Sequence, residues 1–102
     1  MKIVVVTACL AGIAHSKIVA EALTKEGKKR GHEIFVEQQG GHKVTKKLTQ
    51  EEIDAADVVI VANAIAIKDK DRFENKKVYT IPIAKAIRDI KGTMDSAEKL
   101  AE

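Results

Sequence analysis

Two short runs of mainly β-branched residues constrain the fold of this chain more than any other feature. One run is Ile3 to Ala8 and the other is Val58 to Ala62. Neither run alternates polar with apolar side chains, which is typical of strands that are buried on both faces of a parallel sheet. We therefore expect these two runs to be the central strands of an α/β domain.

Strand and helix patterns alternate along the rest of the chain. A first helix is expected from near Ile13 to Gly31, because apolar residues recur on one face and a glycine stands where the helix would end. The predicted buried face of this helix holds Ile18, Val19, Ala22, Leu23 and Gly27. The other predicted elements are a strand from Glu33 to Gln39, a short helix opened by the Thr49 and Glu52 capping box and running to Ala56, a strand from Val78 to Ile81, a helix from Pro82 to Gly92, and a weak terminal helix after Thr93.

The expected fold is a three-layer α/β domain spanning residues 1–102. Right-handed crossovers between parallel strands predict a four-stranded parallel sheet of order 2-1-3-4 with helices on both faces. Such sheets bind ligands outside the carboxyl ends of the strands, at the point where the strand order reverses. In this chain that point follows the first strand, at Cys9.

Composition excludes several classes of protein. The opening apolar run, Ile3 to Val6, is too short for a signal peptide, and no run approaches the ~20 residues of a spanning helix. A lone cysteine is typical of a reducing compartment, so we expect a cytoplasmic protein. The net charge is +3, but the lysines are scattered and the aromatic residues are only Phe35, Phe73 and Tyr79. Stacking surfaces for bases are missing, so the lysines are expected to form a solvated face or to dock on an acidic partner rather than on nucleic acid.

The single cysteine lies in the segment ACLAGIAHS, between the first strand and the first helix. Free amides at a helix start bind anions, phosphate in particular, and the same field favours a thiolate over a thiol. Gly12 permits a tight turn, while His15 and Ser16 are useful anion donors in a first helical turn. The pattern indicates a nucleophile with a phosphate cradle, although Cys9 as an apolar filler and His15 as a capping or surface residue stay open.

Other chemistries have less support. Cys9 with His15, His32 and His42 matches no zinc-ligand spacing, and neither G-x-G-x-x-G nor G-x-x-x-x-G-K-[ST] follows the first strand. No metal or organic cofactor is expected. The loop resembles the C-x5-R-[ST] loop of low-molecular-weight protein tyrosine phosphatases, but His15 stands where that family has arginine. The Asp-Pro pair of that family is also missing, since the only proline, Pro82, follows Ile81. A phosphocysteine formed without these groups would wait for an acceptor, as in a carrier.

The same segment resembles the signature A-C-P-T-G-I-A-H-T of the fructose-type enzyme IIB components of the bacterial phosphoenolpyruvate-dependent sugar phosphotransferase system (PTS). Ala8-Cys9, Gly12 to His15 and Ser16 stand in register with it. Further matches cover most of the chain: Ala20 to Leu23, Val36-Glu37, Gln39-Gly40, Leu48-Thr49, Ala55 to Ile60, Arg72-Phe73, Val78-Tyr79 and Ala86-Ile87.

The resemblance implies a protein-N(pi)-phosphohistidine–sugar phosphotransferase that works as a phosphoryl carrier. Cys9 would accept a phosphoryl group from a IIA phosphohistidine and pass it to a sugar, fructose or a related hexose, on the membrane-embedded IIC permease. The protein would then be cytoplasmic and peripheral to the inner face of the membrane. The implied phosphate-binding residues are Leu10, Ala11, Gly12, Ile13, Ala14, His15 and Ser16.

Three departures from the family pattern bear on this interpretation. Leu10 and Ala11 replace proline and threonine, which removes a rigid turn residue and a hydroxyl, and Ser16 replaces threonine. The segment Gly41 to Lys47 is basic where the family is often acidic, and charge at a docking rim influences partner choice. A phosphatase-like enzyme and a non-catalytic regulatory module therefore remain the alternatives to a carrier.

Overall fold

The structure is a computed structural model that describes residues 1–9, 14–40, 43–45, 47–67 and 70–102. Five strands, four helices and one 3-10 turn follow one another along these residues. In chain order they are β1 (Lys2–Cys9), α1 (Ala14–Lys29), β2 (Glu33–Gly40), β3 (Lys43–Thr45), α2 (Gln50–Asp54), β4 (Val58–Asn63), the 3-10 turn (Lys70–Phe73), β5 (Val78–Pro82), α3 (Ile83–Arg88) and α4 (Ile90–Ala101).

The strands form one sheet in the order β3-β2-β1-β4-β5. β2, β1, β4 and β5 are mutually parallel, which confirms the predicted four-stranded parallel sheet of order 2-1-3-4. β3 is an addition that the sequence analysis did not predict: it pairs antiparallel with the end of β2, with Thr45 opposite Gln38. Its three residues, Lys43–Thr45, lie within the segment that we interpreted only as a basic loop. A strand this short is too brief to give a recognisable periodic pattern.

The sheet is covered on both faces, which explains the two uninterrupted apolar runs. Ile3 and Val5 of β1 face α1, α3 and α4, while Val4 and Val6 face α2 and the 3-10 turn. All four side chains are fully buried. β4 alternates between the same two cores and is equally apolar on both sides, as a central parallel strand requires.

α1 follows its predicted range, but its buried face was predicted only in part. Val19 and Leu23 are buried as expected, and Gly31 ends the helical segment with a φ of 85°. Ile18 was placed on the buried face and is instead 50% exposed. The buried positions fall at Ser16, Val19, Ala20, Leu23 and Gly27, a 3.6-residue spacing that turns Ile18 away from the sheet.

The helix after β5 ends earlier than its glycine suggests. We expected one helix from Pro82 to Gly92, but α3 stops before Asp89, and α4 begins directly after it. The Asp89 carboxylate accepts a hydrogen bond of 2.9 Å from the Gly92 backbone N–H, so Gly92 lies inside the first turn of α4. A side-chain cap therefore set this boundary, and the prediction that Gly92 ends a helix was wrong. The capping box at Thr49 and Glu52 is confirmed.

Candidate functional site at the carboxyl end of the sheet

Cys9 is the last residue of β1 and lies at the centre of the carboxyl edge of the sheet. It pairs with Gly40, the last residue of β2, while Ala8 pairs with Asn63, the last residue of β4. The chain leaves β1 for β2 on one side and later returns to β4 on the other side, so the strand order reverses here. This is where open α/β sheets bind ligands.

The cysteine is mostly enclosed by the fold. Its exposed fraction is 9%, and it packs at one end of the core that faces α1, α3 and α4. Limited contact with water strengthens electrostatic interactions around a reacting group. The apolar packing is also what a cysteine used as a core filler would have, so burial alone does not identify its role.

The predicted phosphate-binding residues are described only in part. Leu10, Ala11, Gly12 and Ile13 lie outside the described residues. The backbones of Ala14 and His15 form the start of α1, and Ser16 is the third residue of that helix. The first N–H groups of a helix have no partner within it, so this end of α1 offers free donors that follow Cys9 by a few residues.

Two buried hydroxyl groups, one on the strand that ends at Cys9 and one on the helix that follows it, have no hydrogen-bond partner in the part of the chain that the structure describes. One is Ser16 Oγ, on a residue that is 1% exposed, and the other is Thr7 Oγ1, on a residue that is fully buried. A buried hydroxyl without a partner costs about 1–3 kcal/mol. Such a group at a candidate site is expected to have a use there. Ser16, in the first turn of the helix that follows Cys9 in the chain, is placed for this use, whereas Thr7 lies within β1.

The chain that follows β4 is tied to the neighbour of Cys9. The Ala64 N–H donates to the Ala8 carbonyl at 2.8 Å. The Asn63 side-chain amide donates to the Ile65 carbonyl at 2.9 Å, which folds the chain back over the end of β4. Ala64 therefore lies beside the end of β1, while Ile65 and Ile67 pack in the core on the other face of the sheet from Cys9.

A buried ion pair lies on the opposite face of the sheet from Cys9. Glu37 is 1% exposed, and both of its carboxylate oxygens accept hydrogen bonds of 2.8 Å from the Arg72 guanidinium. Burial raises the pKa of Glu37, but hydrogen bonds from Arg72, Gln39 and the Leu48 N–H outweigh it and hold the pKa below its ordinary value. Both residues match the family pattern in sequence, but nothing in the sequence shows that they pair. The available signal was a glutamate at an inward-facing position of a strand.

Of the three histidines, only His32 has a described side chain, and it lies at the opposite edge of the sheet from Cys9. His32 lies at the amino end of β2, where its ring contacts Glu98 of α4 and the N-terminal amine. His42 lies outside the described residues. Across the described ranges, no three His, Cys, Asp or Glu side chains are placed to hold a metal ion. None of the described helices has the length and apolar character needed to cross a membrane.

Comparison with known proteins adds an independent line of evidence. The sequence model of the family described as "PTS system, Lactose/Cellobiose specific IIB subunit" matches residues 4–100. The PTS system fructose-like EIIB component 2 of Escherichia coli K12 is 38% identical over 97 residues, which cover 95% of this chain and 92% of that protein. The fructose-like PTS system EIIBC component of the same strain is 47% identical over 92 residues. This chain covers 19% of the length of the EIIBC component, and the match takes in 88% of this chain.

Solved structures of related domains have the same fold. A crystal structure of a predicted fructose-specific IIB from Escherichia coli superposes with a TM-score of 0.94 at 29% identity, covering 99% of this chain and 89% of that chain. A domain of the fructose-specific IIABC component from Borrelia burgdorferi gives a TM-score of 0.89 at 43% identity, covering 96% and 93%. Together with the family match, these similarities establish that the chain belongs to the IIB components of the sugar phosphotransferase system and is similar to their fructose-like members.

Proposed function

We propose that this protein is a phosphoryl carrier that accepts a phosphoryl group on Cys9 from a IIA phosphohistidine and passes it to a sugar bound by a IIC permease. The observation that carries the proposal is the position of Cys9. It ends β1 where the strand order reverses, a few residues before a helix whose first turn holds the Ser16 hydroxyl, which has no partner among the described residues.

Each residue of the site has a distinct role in this proposal. Cys9 is the nucleophile. The backbone N–H groups of residues 10–15 and the Ser16 hydroxyl donate hydrogen bonds to the phosphoryl oxygens, with His15 as a further donor. This arrangement supplies hydrogen bonds to the negative charge of the phosphoryl group and needs no metal or organic cofactor.

The two transfers balance without any other reactant. In the first, the Cys9 thiolate attacks phosphorus, the P–S bond forms, and the P–N bond to the imidazole of the donor histidine breaks. In the second, a sugar hydroxyl attacks phosphorus, the P–O bond forms, the P–S bond breaks, Cys9 leaves as a thiolate, and the hydroxyl proton passes to solvent water. Both are in-line displacements in which a protein mainly positions groups and stabilises charge.

The names of the relatives support a sugar substrate without selecting one. They include fructose-like components, and a 2-O-alpha-mannosyl-D-glycerate-specific EIIABC component of Escherichia coli that is 39% identical over 95 residues. We propose fructose or a related hexose, selected by the IIC permease. Residues 1–102 act as one IIB domain in this proposal, which the single sheet spanning β1 to β5 supports. The domain works in the cytoplasm, at the inner face of the membrane where IIC lies.

The experiment is to incubate the protein with a phosphorylated IIA component and to measure its intact mass. Wild-type protein should gain one phosphate, and Cys9→Ser should gain none. Thr7→Val is a matched control, because it changes a buried side chain two residues away and leaves the sulfur in place.

A phosphatase-like activity and a regulatory module predict different results. If the wild-type protein hydrolyses an aryl phosphate steadily and Cys9→Ser does not, the protein is a phosphatase and not a carrier. Absence of any phosphate uptake by wild-type protein, with several phosphorylated IIA components, would favour a non-catalytic module.

A further inference from the structure

We propose that Glu37 and Arg72 are positioning residues that hold the ends of the strands beside Cys9 in the geometry that its reaction needs, a role that rests on the proposed function. We call this ion pair the clamp. Both residues lie on the opposite face of the sheet from Cys9. They act on the two stretches of chain that leave the sheet on either side of the cysteine.

The clamp joins three segments through one carboxylate. The two guanidinium nitrogens of Arg72, Nη1 and Nη2, donate to the two Glu37 oxygens at 2.8 Å each. The Leu48 N–H donates to Glu37 Oε1 at 2.8 Å, and the Leu48 carbonyl accepts from Arg72 Nη1 at 3.3 Å. β2, the chain before α2 and the 3-10 turn are therefore fastened at a single buried point.

Both connections that flank the cysteine end at this point. The first leaves β2 at Gly40, the pairing partner of Cys9, and reaches the clamp at Leu48. The second leaves β4 at Asn63, the pairing partner of Ala8, and reaches the clamp at Arg72. Each connection thus has one end at the carboxyl edge beside β1 and the other end in the clamp.

A shorter path runs along β2 itself. The Gln39 side chain is buried, and its Nε2 donates to Glu37 Oε2 at 2.7 Å. Gln39 pairs with Ala8 in the ladder, and the next residue, Gly40, pairs with Cys9. The carboxylate therefore orients the last residues of β2, which lie directly beside the last residues of β1.

Stability alone is a poor reason to keep this pair. Replacing a buried ion pair by apolar residues of similar volume is often neutral or stabilising, because both charges must be desolvated. What a planar guanidinium paired with a carboxylate supplies is a fixed geometry, since its two parallel hydrogen bonds define direction as well as distance. Fixed geometry matters in phosphoryl transfer, where a displacement of about 1 Å can slow a reaction by about a hundredfold.

The test uses two variants that separate geometry from stability. Arg72→Lys keeps the positive charge and removes the planar fork. The double variant Glu37→Gln/Arg72→Met removes both charges and leaves an amide oxygen that can accept from the Leu48 N–H.

The control is Arg30→Met. Arg30 also bridges carboxylates, with bonds of 2.7 Å to Glu26, Asp95 and Glu98, but it lies near the amino end of β2, away from the cysteine. Its loss removes a second arginine–carboxylate cluster, which is more exposed than the clamp, without touching either connection beside Cys9.

Two rates are measured under conditions where circular dichroism shows each variant to be folded. One is the rate of Cys9 phosphorylation by a phosphorylated IIA component, and the other is the rate of Cys9 alkylation by iodoacetamide. Both clamp variants should slow phosphorylation by about tenfold to a hundredfold and change the alkylation rate, while Arg30→Met leaves both rates near those of the wild type.

Wild-type rates in both clamp variants would overturn the proposal. It would also fail if Arg30→Met slowed phosphorylation as much as Arg72→Lys does, because the loss would then follow stability rather than position. The alkylation rate separates this inference from the carrier function. If wild-type protein takes up no phosphate, the carrier is refuted, but a changed alkylation rate in the clamp variants alone still supports the positioning role.

Discussion

Removal of the Ser16 hydroxyl should stabilise the resting protein and weaken its hold on phosphate at the same time. Ser16 is 1% exposed, and its Oγ has no hydrogen-bond partner in the described part of the chain. Ser16→Ala removes a buried polar group that costs about 1–3 kcal/mol when unpaired. Alanine also has a higher helix propensity than serine, by about 0.5 kcal/mol. We expect the free energy of unfolding to rise by about 1–2 kcal/mol.

This stabilisation is large enough to measure by thermal or urea unfolding. For a domain of this size, 1 kcal/mol shifts Tm by roughly 4–8 °C. The opposite effect is expected on the phosphorylated protein, because a hydrogen bond to a charged group contributes about 1.5–3 kcal/mol. Loss of that bond should lower the yield of phosphocysteine at equilibrium with the IIA donor by roughly tenfold to a hundredfold.

Thr7→Val provides the matched control. Thr7 is fully buried, and its hydroxyl, like that of Ser16, has no partner within the ranges that the structure describes, but Thr7 lies within β1 rather than at the start of α1. Thr7→Val should therefore raise stability and leave the phosphocysteine yield unchanged. If Ser16→Ala lowers the free energy of unfolding by about 1 kcal/mol, its hydroxyl has a partner in the resting protein and the reasoning is wrong. An unchanged phosphocysteine yield in Ser16→Ala would remove Ser16 from the phosphate site.

Two further predictions concern packing and pH. Gly27→Ala should lower the free energy of unfolding by about 1 kcal/mol, because overpacking outweighs the gain in helix propensity; the added Cβ would lie 2.7 Å from Ile34 Cγ1. In a double-mutant cycle followed by urea unfolding, Gly27→Ala should cost little in a protein that also carries Ile34→Ala. A Gly27→Ala protein that is more stable than the wild type would contradict the prediction. The pKa of Glu98 is lowered by its hydrogen bond to His32 and by Arg30, and the pKa of Glu37 is also lowered. The stability that these two carboxylates contribute should be present above about pH 4.5 and lost as pH falls further. Glu98→Gln should make the free energy of unfolding depend less steeply on pH in this acid range. An unchanged slope in Glu98→Gln would refute the contribution of Glu98.

The position of the candidate site was predictable from local sequence patterns. Two apolar runs without polar alternation require a sheet covered on both faces, and a helix between the first two strands makes their pairing parallel. The crossover rule then puts the strand-order reversal at the end of β1, where Cys9 stands. Each step depends on periodicity or chirality, which are properties of neighbouring residues.

Features that depend on competition between segments were not predictable in the same way. Ile18 fits an apolar stripe, but Ala20 and Gly27 occupy the buried face of α1, with Gly27 close to Ile34 of β2, and Ile18 is left exposed. Glycine is typical of the residue that ends a helix, but Asp89 caps α4, and Gly92 therefore lies in the first turn of that helix. In both cases the local preference is weak, and a contact made elsewhere decides the outcome.

The sequence by itself determined the parallel α/β fold and the place of the cysteine, because hydrophobic period and the handedness of crossovers act over short stretches of chain. Only the tertiary structure decided that Glu37 meets Arg72, and that the Ser16 hydroxyl is enclosed without a partner among the described residues. The reason is physical: a long-range ion pair and the burial of a polar atom depend on which segments the fold brings together, and local sequence patterns do not report that.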